Sequence, residues 1–385
     1  MYDITVPETS NFYANNILVH NCVEITLPTK PLRDYNDEEA EIALCILAAI
    51  NMGKIKNLKD LESKCRTAVW VLDELIDYQE YPIPAAERAT KKRRPLGVGV
   101  INLAYYLAKK GVKYSDPAAL RIVHEFFEAF QYYLLKASVE LAKIKGPCEG
   151  FQDTKYAQGI LPIDTYKKSL DEIVDNSLNL DWEQLRKDIV RYGLRNSTLS
   201  AMMPAETSAQ ISNGTNGIEP PRSLVSIKGS KQSAAKQVVP EIEKLANKYE
   251  CLYDMPNMDG YIKIVGIIQK FTDQSISGNT SYNPEPKEET PSSPHESKIK
   301  LPLKTIMGDL LKCYKYGWKT GYYNNVDDGR GEGDNDSQSP VQPTVNKAAV
   351  DDEQTLHISP PKSDNLSQPE YPTFWDDDDC DSCKI

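Results

Sequence analysis

The sequence predicts an α/β protein built on a largely parallel sheet or barrel. Two patterns predict it: runs with apolar residues at three- and four-residue spacing alternate along the chain with short, strand-like apolar runs. Size is the third observation. The 385 residues are 40% hydrophobic, enough for a real core in one large domain or two ordinary ones, and 25 prolines imply that part of the chain stays outside it.

The elements follow in order. Residues 2–21 predict two short strands around a turn: Tyr2, Ile4 and Val6 alternate, Phe12 and Tyr13 enter a turn at 14–16, and Ile17, Leu18 and Val19 form the second strand. Twenty residues cannot bury a core alone, so this segment needs a partner. Residues 38–50 predict a compact helix, broken at Gly53, and residues 57–79 a second, with Leu58, Leu61, Cys65, Val69, Leu72, Leu75 and Ile76 in register. Lys91-Lys92-Arg93-Arg94 reads as a solvated basic turn. The glycines of Leu96-Gly97-Val98-Gly99-Val100 behind it are weak evidence for phosphate binding. Residues 117–145 predict a long helix whose Phe126, Phe127, Phe130 and Tyr133 face the core, with His124 structural. Another helix is expected at 182–192. Residues 196–203 read as a buried strand, after which Pro204-Ala205-Glu206-Thr207-Ser208 opens a helical stretch. Helices near 241–249 and 261–271, a strand at 275–280, an exposed loop at 283–295, a helix at 303–316 and a strand at 318–323 complete the body. From residue 324 the Gly/Asp/Ser/Pro-rich composition without periodicity predicts a disordered tail.

The net charge of −11 belongs to that tail. Residues 326–385 hold 15 acidic and 4 basic side chains, whereas the other 325 residues hold 41 of each sign. A neutral body without a basic stripe argues against direct nucleic-acid binding. No apolar run reaches a membrane span and no leader follows Met1, so a soluble, cytoplasmic chain with no membrane partner is expected. The eight cysteines are scattered, which favours free thiols over a disulfide framework. No metal site is expected; Cys380-x-x-Cys383 as a zinc half-site is a minor alternative, since no second pair stands at suitable spacing.

Chemistry concentrates at His20-Asn21-Cys22. An Asn side-chain amide can attack its own carbonyl and cut the chain as a succinimide, with a neighbouring His polarising that carbonyl or protonating the leaving amine. A Cys placed next can accept an acyl group as a thioester and pass it to its own amine. The tripeptide alone is usually an ordinary loop. The whole segment, Tyr2-Asp-Ile-Thr-Val, Asn11-Phe-Tyr-Ala-Asn and Ile17-Leu-Val-His-Asn before Cys22, resembles the C-terminal splicing blocks of inteins. Ser10 departs from that pattern, where many inteins carry His or Asp. The resemblance implies that residues 1–21 are a C-terminal split-intein fragment that splices in trans with a partner carrying the N-terminal fragment.

The remaining chain resembles the C-terminal half of the large (α) subunit of class I ribonucleotide reductase. The stretches that carry the resemblance are Cys22-Val-Glu-Ile-Thr-Leu-Pro-Thr-Lys-Pro-Leu32, Asp77-Tyr-Gln-Glu-Tyr-Pro-Ile-Pro84, Gly97-Val-Gly-Val-Ile-Asn102, Gly193-Leu-Arg-Asn-Ser-Thr-Leu-Ser200, Asn216-Gly-Ile-Glu-Pro-Pro-Arg222 and Tyr322-Tyr323. It implies half of a ten-stranded α/β barrel over residues 22–325, with a flexible acidic tail at 326–385. It also implies reduction of ribonucleoside diphosphates to deoxyribonucleotides by thiyl-radical chemistry. Cys22 matches the radical cysteine and Glu24 the general base for the 3′-OH. Cys45 matches one member of the reducing dithiol, whose partner belongs to the N-terminal half. Cys380 and Cys383 match the tail pair that re-reduces the site, although that pair is usually spaced further apart. Tyr322 and Tyr323 match stacked tyrosines that relay the radical; by alternation alone two neighbours on a strand face opposite sides. Pro204, Ala205, Glu206, Thr207 and Ser208 match a substrate-diphosphate loop, with Ala205 where relatives often carry Ser; a plain helix cap is the alternative. Implied partners are the N-terminal half carrying ATP/dNTP effector sites, a small (β) subunit with a dimetal tyrosyl-radical cofactor, and thioredoxin or glutaredoxin. No cofactor is expected on this chain itself. The alternative function is a non-catalytic assembly piece that docks beside a separate N-terminal chain without splicing.

Overall fold

A computed structural model describes residues 11–14, 17–20, 24–229, 234–283 and 301–326. The strands are β1 (Asn11–Ala14), β2 (Ile17–His20), β3 (Ile46–Asn51), β4 (Leu96–Ile101), β5 (Val225–Gly229), β6 (Ala234–Val238), β7 (Gly278–Tyr282) and β8 (Gly321–Val326). The helices are α1 (Leu58–Tyr78), α2 (Pro84–Arg93), α3 (Leu103–Lys109), α4 (Pro117–Lys145), α5 (Trp182–Tyr192), α6 (Glu206–Ile211), α7 (Ile242–Leu245), α8 (Asp259–Phe271) and α9 (Leu303–Tyr316).

β3 pairs with β4 in parallel, and β7 with β8 likewise. The extended segment 198–203 joins the two pairs: Val98 bridges to Ser200 and Met202 to Ile276, both in parallel. The product is one parallel arc in sequence order, as expected when each strand returns through a helix. Among the described residues this arc does not close. The expected barrel is present here as an open parallel sheet, with β3 and β8 at its edges.

Register explains the two faces of the arc. Ile46, Ala48 and Ile50 stand opposite Leu96, Val98 and Val100. Leu96, Val98 and Val100 are fully buried, and α1 packs over this face. The other face alternates out of it, with Leu47 opposite Gly97 and Ala49 opposite Gly99. A Cβ at Gly97 would lie 2.5 Å from Leu47 Cδ2 and 2.7 Å from Ile25 Cδ1. The glycine therefore makes room for residues 24–25 to cross the sheet, and phosphate binding is not its role. The helix expected over 38–50 is instead irregular chain leading into β3. A six-residue apolar run reads equally as strand or helix, and pairing with β4 decides it.

The long helices follow their periodicity. Asn57 caps α1 by accepting the Asp60 N–H, and Asp181 caps α5 by accepting the Gln184 N–H. α4 buries Phe127 and Phe130 edge-to-face at 5.7 Å and packs against α1, α5 and α8. On α4, His124 is fully buried and its Nε2 lies 2.9 Å from Lys270 Nζ of α8.

The basic turn is not solvated as expected. Arg94, left-handed at φ 47, donates from Nε to Asp73 at 2.7 Å and from its terminal nitrogens to Asp77 at 2.8 and 2.9 Å. Asp73 is fully buried and also receives Arg195 Nε at 3.3 Å and Asn196 Nδ2 at 3.1 Å. Arg93 pairs with the buried Glu41. Arg94, Arg195 and Asn196 thus lock α1, the end of α2 and the 193–196 turn together, and Arg93 ties α2 to Glu41.

At the N-terminal end β1 and β2 form an antiparallel hairpin, Asn11 opposite His20 and Ala14 opposite Ile17. Phe12 and Tyr13 are strand residues here, one register earlier than the expected turn. The strand expected from Tyr2, Ile4 and Val6 and the expected 283–295 loop beyond Asn283 lie outside the described residues, as does the expected tail after Val326; its first residues, 324–326, belong to β8. No helix among the described residues is long and apolar enough to cross a membrane.

Removing one partner from a buried ionic network leaves uncompensated charge. Asp73→Ala should cost about 3–5 kcal/mol, read as a lower denaturation midpoint at an unchanged urea slope.

Candidate active site

The site is organised at the C-terminal ends of the parallel strands, beginning at Asn102. This residue ends β4 in the left-handed region at φ 74. Its N–H donates to the Thr215 carbonyl at 2.9 Å, and its Oδ1 accepts the Thr215 N–H at 2.9 Å. Its Nδ2 donates to Asn51 Oδ1 at the end of β3, 3.0 Å away. Asn is one of the few residues that takes this backbone shape at low cost, and its amide then closes the loop that passes over the strand ends.

That loop carries the next contacts. Asn216 Oδ1 accepts the Ala205 N–H at 2.9 Å, and the Asn216 carbonyl accepts the Glu219 N–H at 3.2 Å. Glu219 Oε1 accepts the Asn279 N–H of β7 at 3.2 Å. Asn279 Oδ1 in turn accepts the Tyr323 N–H of β8 at 3.0 Å. A continuous set of hydrogen bonds therefore runs from the 204–208 segment to the tyrosine pair. α6 opens at Ala205 without a side-chain cap, so the sequence alternative of a capped helix start is not what is found.

Tyr322 and Tyr323 lie with ring centroids 4.1 Å apart, tilted by 48°. Strict alternation would put neighbours on opposite faces. The register slips between them: Gly278 pairs with Gly321 but Thr280 with Asn324, so Tyr322 and Tyr323 together oppose Asn279. This β-bulge brings both rings to one side. Pro204, Glu206, Asn216, Glu219, Asn279, Tyr322 and Tyr323 line one cavity of about 100 Å³.

A second cluster lies where residues 24–25 cross the sheet. The Glu24 carbonyl accepts the Ser275 N–H at 2.7 Å, and Ser277 Oγ donates to Glu24 Oε2. Glu24 is buried. Burial, and then the Glu24 carboxylate, push the half-buried Cys45 thiol up to about 11. A carboxylate and a protonated thiol are thus held close together. At the cavity wall, burial pushes the Glu219 carboxyl up to about 7, against the pull of the Asn279 N–H and Arg222.

Residues 2–324 match the family described as ribonucleotide reductase, barrel domain. The chain belongs to this ribonucleotide reductase family. Over 308 residues it is 58% identical to the ribonucleoside-diphosphate reductase subunit alpha of Haemophilus influenzae, covering 80% of this chain and 40% of the relative. It is 57% identical to ribonucleoside-diphosphate reductase 1 subunit alpha of Escherichia coli K12 (84% and 41% covered) and 42% identical to the subunit alpha of Enterobacteria phage T4 (83% and 41%). The chain therefore spans about 40% of the length of these relatives. The family match starts at residue 2 and so includes the segment that resembles an intein.

Of the residues the reductase resemblance marks, the structure brings Glu24 to Cys45, and Pro204 and Glu206 to Tyr322 and Tyr323. Thr207 and Ser208 are exposed on α6. His20 ends β2. Asn21, Cys22, Cys380 and Cys383 lie outside the described residues. Sequence reading missed Asn102, Glu219 and Ser277 as site residues, as well as Asn279. The first two stood inside the Gly97–Asn102 and Asn216–Arg222 stretches, where a buried polar group in an apolar or proline-rich context was the available signal. A larger concavity of about 490 Å³ lies at the opposite ends of the strands, around Thr198, Lys270, Asp273 and Lys319. It shares no lining residue with the cavity at the tyrosines.

The raised thiol makes a direct prediction. Iodoacetamide labelling of Cys45, followed by peptide mass spectrometry, should be slow at neutral pH and rise about tenfold per pH unit towards 11, because only the thiolate reacts. Glu24→Gln should shift that rise to lower pH without changing its slope.

Proposed function

We propose that this chain is the C-terminal part of a class I reductase large subunit, acting on ribonucleoside diphosphates once joined to its N-terminal half. The observation that carries this reading is the tyrosine pair, centroids 4.1 Å apart, on the wall of the cavity that also holds Pro204 and Glu206. Contact between the rings suits stepwise transfer, since a phenol can lose an electron and a proton together. In this reading the radical arrives from a small subunit bearing a dimetal tyrosyl-radical cofactor. It crosses Tyr322 and Tyr323 and reaches Cys22, whose thiyl removes the 3′ hydrogen of the ribose. Glu24 takes the 3′-OH proton; its hydrogen bond from Ser277 supports a fixed side chain. Cys45 and a thiol from the N-terminal half supply two electrons as the 2′-OH leaves. The high pKa of Cys45 keeps it a thiol until then. Cys380 and Cys383 carry electrons in from thioredoxin or glutaredoxin.

The uncapped start of α6 and the exposed Thr207 and Ser208 hydroxyls support residues 204–208 as the diphosphate loop. ATP and dNTP effectors bind the N-terminal half.

Residues 1–21 are proposed to splice in trans. Cys22 then serves twice, first as acyl acceptor and afterwards as radical carrier. The antiparallel pairing of β1 with β2, ending at His20, supports this reading. The rival reading is an assembly piece that docks without ligation, and the family match from residue 2 makes the test worthwhile.

Three outcomes are expected. Mixing the chain with an N-terminal half carrying the complementary intein fragment gives the ligated mass and a released fragment ending at Asn21, and Asn21→Ala abolishes that release. In the ligated enzyme with its small subunit, Cys22→Ser abolishes deoxynucleotide formation, because an alkoxyl radical is far harder to generate than a thiyl. Tyr322→Phe and Tyr323→Phe also abolish it, and retained turnover in either would remove the relay.

A further inference from the structure

The bulge that stacks Tyr322 on Tyr323 is not self-supporting. A residue added to one strand interrupts the regular ladder, and here Tyr322 and Tyr323 together oppose Asn279. Asn279 engages the bulge with its side chain, its Oδ1 accepting the Tyr323 N–H at 3.0 Å. Its own backbone N–H is taken by Glu219 Oε1 at 3.2 Å. Glu219 follows the turn whose Asn216 holds Ala205 of the 204–208 segment. On either side of the bulge the register is fixed independently. Gly278 lies under Trp318, where a Cβ would come 2.5 Å from Cζ2, and Thr280 Oγ1 donates to Asn324 Oδ1.

We propose that Asn279 and Glu219 are positioning residues for the tyrosine pair: together they hold the bulge that turns both rings to one side and tie it to the loop carrying residues 204–208. This inference rests on the relay reading above for its catalytic consequence, though not for its geometry. Neither residue meets the reacting atoms. Glu219 acts by accepting the Asn279 N–H, and Asn279 by accepting the Tyr323 N–H. The proximity of Glu219 and Asn279 to the cavity makes both sensitive to what occupies it. The upward shift of the Glu219 carboxyl fits a group whose task is to accept a hydrogen bond and not to carry charge.

The test has two arms. In this chain alone, 3-fluorotyrosine at position 323 reports ring contact by 19F NMR. Asn279→Ala and Glu219→Ala should both move or broaden that resonance, and Glu219→Gln, which keeps an acceptor, should restore it. In the complete large subunit with its small subunit, Asn279→Ala should lower kcat roughly 100-fold, the scale of a misplacement of about 1 Å, with KM for the nucleoside diphosphate unchanged. Glu219→Gln should recover most of the loss seen in Glu219→Ala. An unmoved resonance in Asn279→Ala, an undiminished kcat in that variant, or a Gln variant as impaired as the Ala variant would overturn the proposal. Failure of the relay reading is separable. It would appear as full turnover in Tyr323→Phe, while the 19F shifts would still report whether Asn279 and Glu219 hold the pair.

Discussion

Asn102 is the contact on which the candidate site depends. Its left-handed backbone ends β4, its amide nitrogen reaches the end of β3, and its amide oxygen and N–H take up both backbone groups of Thr215. One buried side chain thus sets where the 213–219 loop crosses the strand ends. Ala205, Glu219, Asn279 and Tyr323 each take their place from that loop in succession. Alanine would leave Thr215 with unpaired polar groups in a buried setting and would not take φ 74 readily. Local backbone geometry and the position of a cavity wall are therefore the same problem here.

The sheet is divided in a way that suits this arrangement. Leu96, Val98 and Val100 face the helices, and on the opposite face Gly97 and Gly99 stand across from Leu47 and Ala49, with Cys45 just before β3. Helix packing supplies stability on the first face. On the second, the absence of side-chain bulk lets residues 24–25 lie flat against β4 and brings Glu24 within reach of Ser277. A bulkier strand would keep the same topology and lose the crossing.

The sequence made the long helices legible almost to the residue. α4 and α5 begin and end where proline, capping Asp and periodicity place them, and α1 and α9 follow the same rules. Strands were less legible. Residues 46–51 contain two alanines in an apolar run and carry no signal of their own for strand over helix; only the partner strand resolves it. Arg93 and Arg94 looked like solvated charge because their acidic partners, Glu41, Asp73 and Asp77, are distant in sequence. The marked residues of the candidate site came from resemblance to the reductases, not from pattern. Asn279 shows why pattern fell short. A lone Asn in a short polar strand is unremarkable until a register slip in a strand some forty residues away needs an acceptor.

That slip has a consequence for how such a strand can change over generations. Tyr322 and Tyr323 share a side only because β8 carries one residue more than β7 between two fixed pairings. Deleting either residue between Gly321 and Asn324 would restore regular alternation and remove one ring of the pair. Insertion would misalign Asn324 from Thr280. The segment is therefore constrained in length as tightly as in identity: one codon gained or lost undoes the pair as surely as replacing a tyrosine.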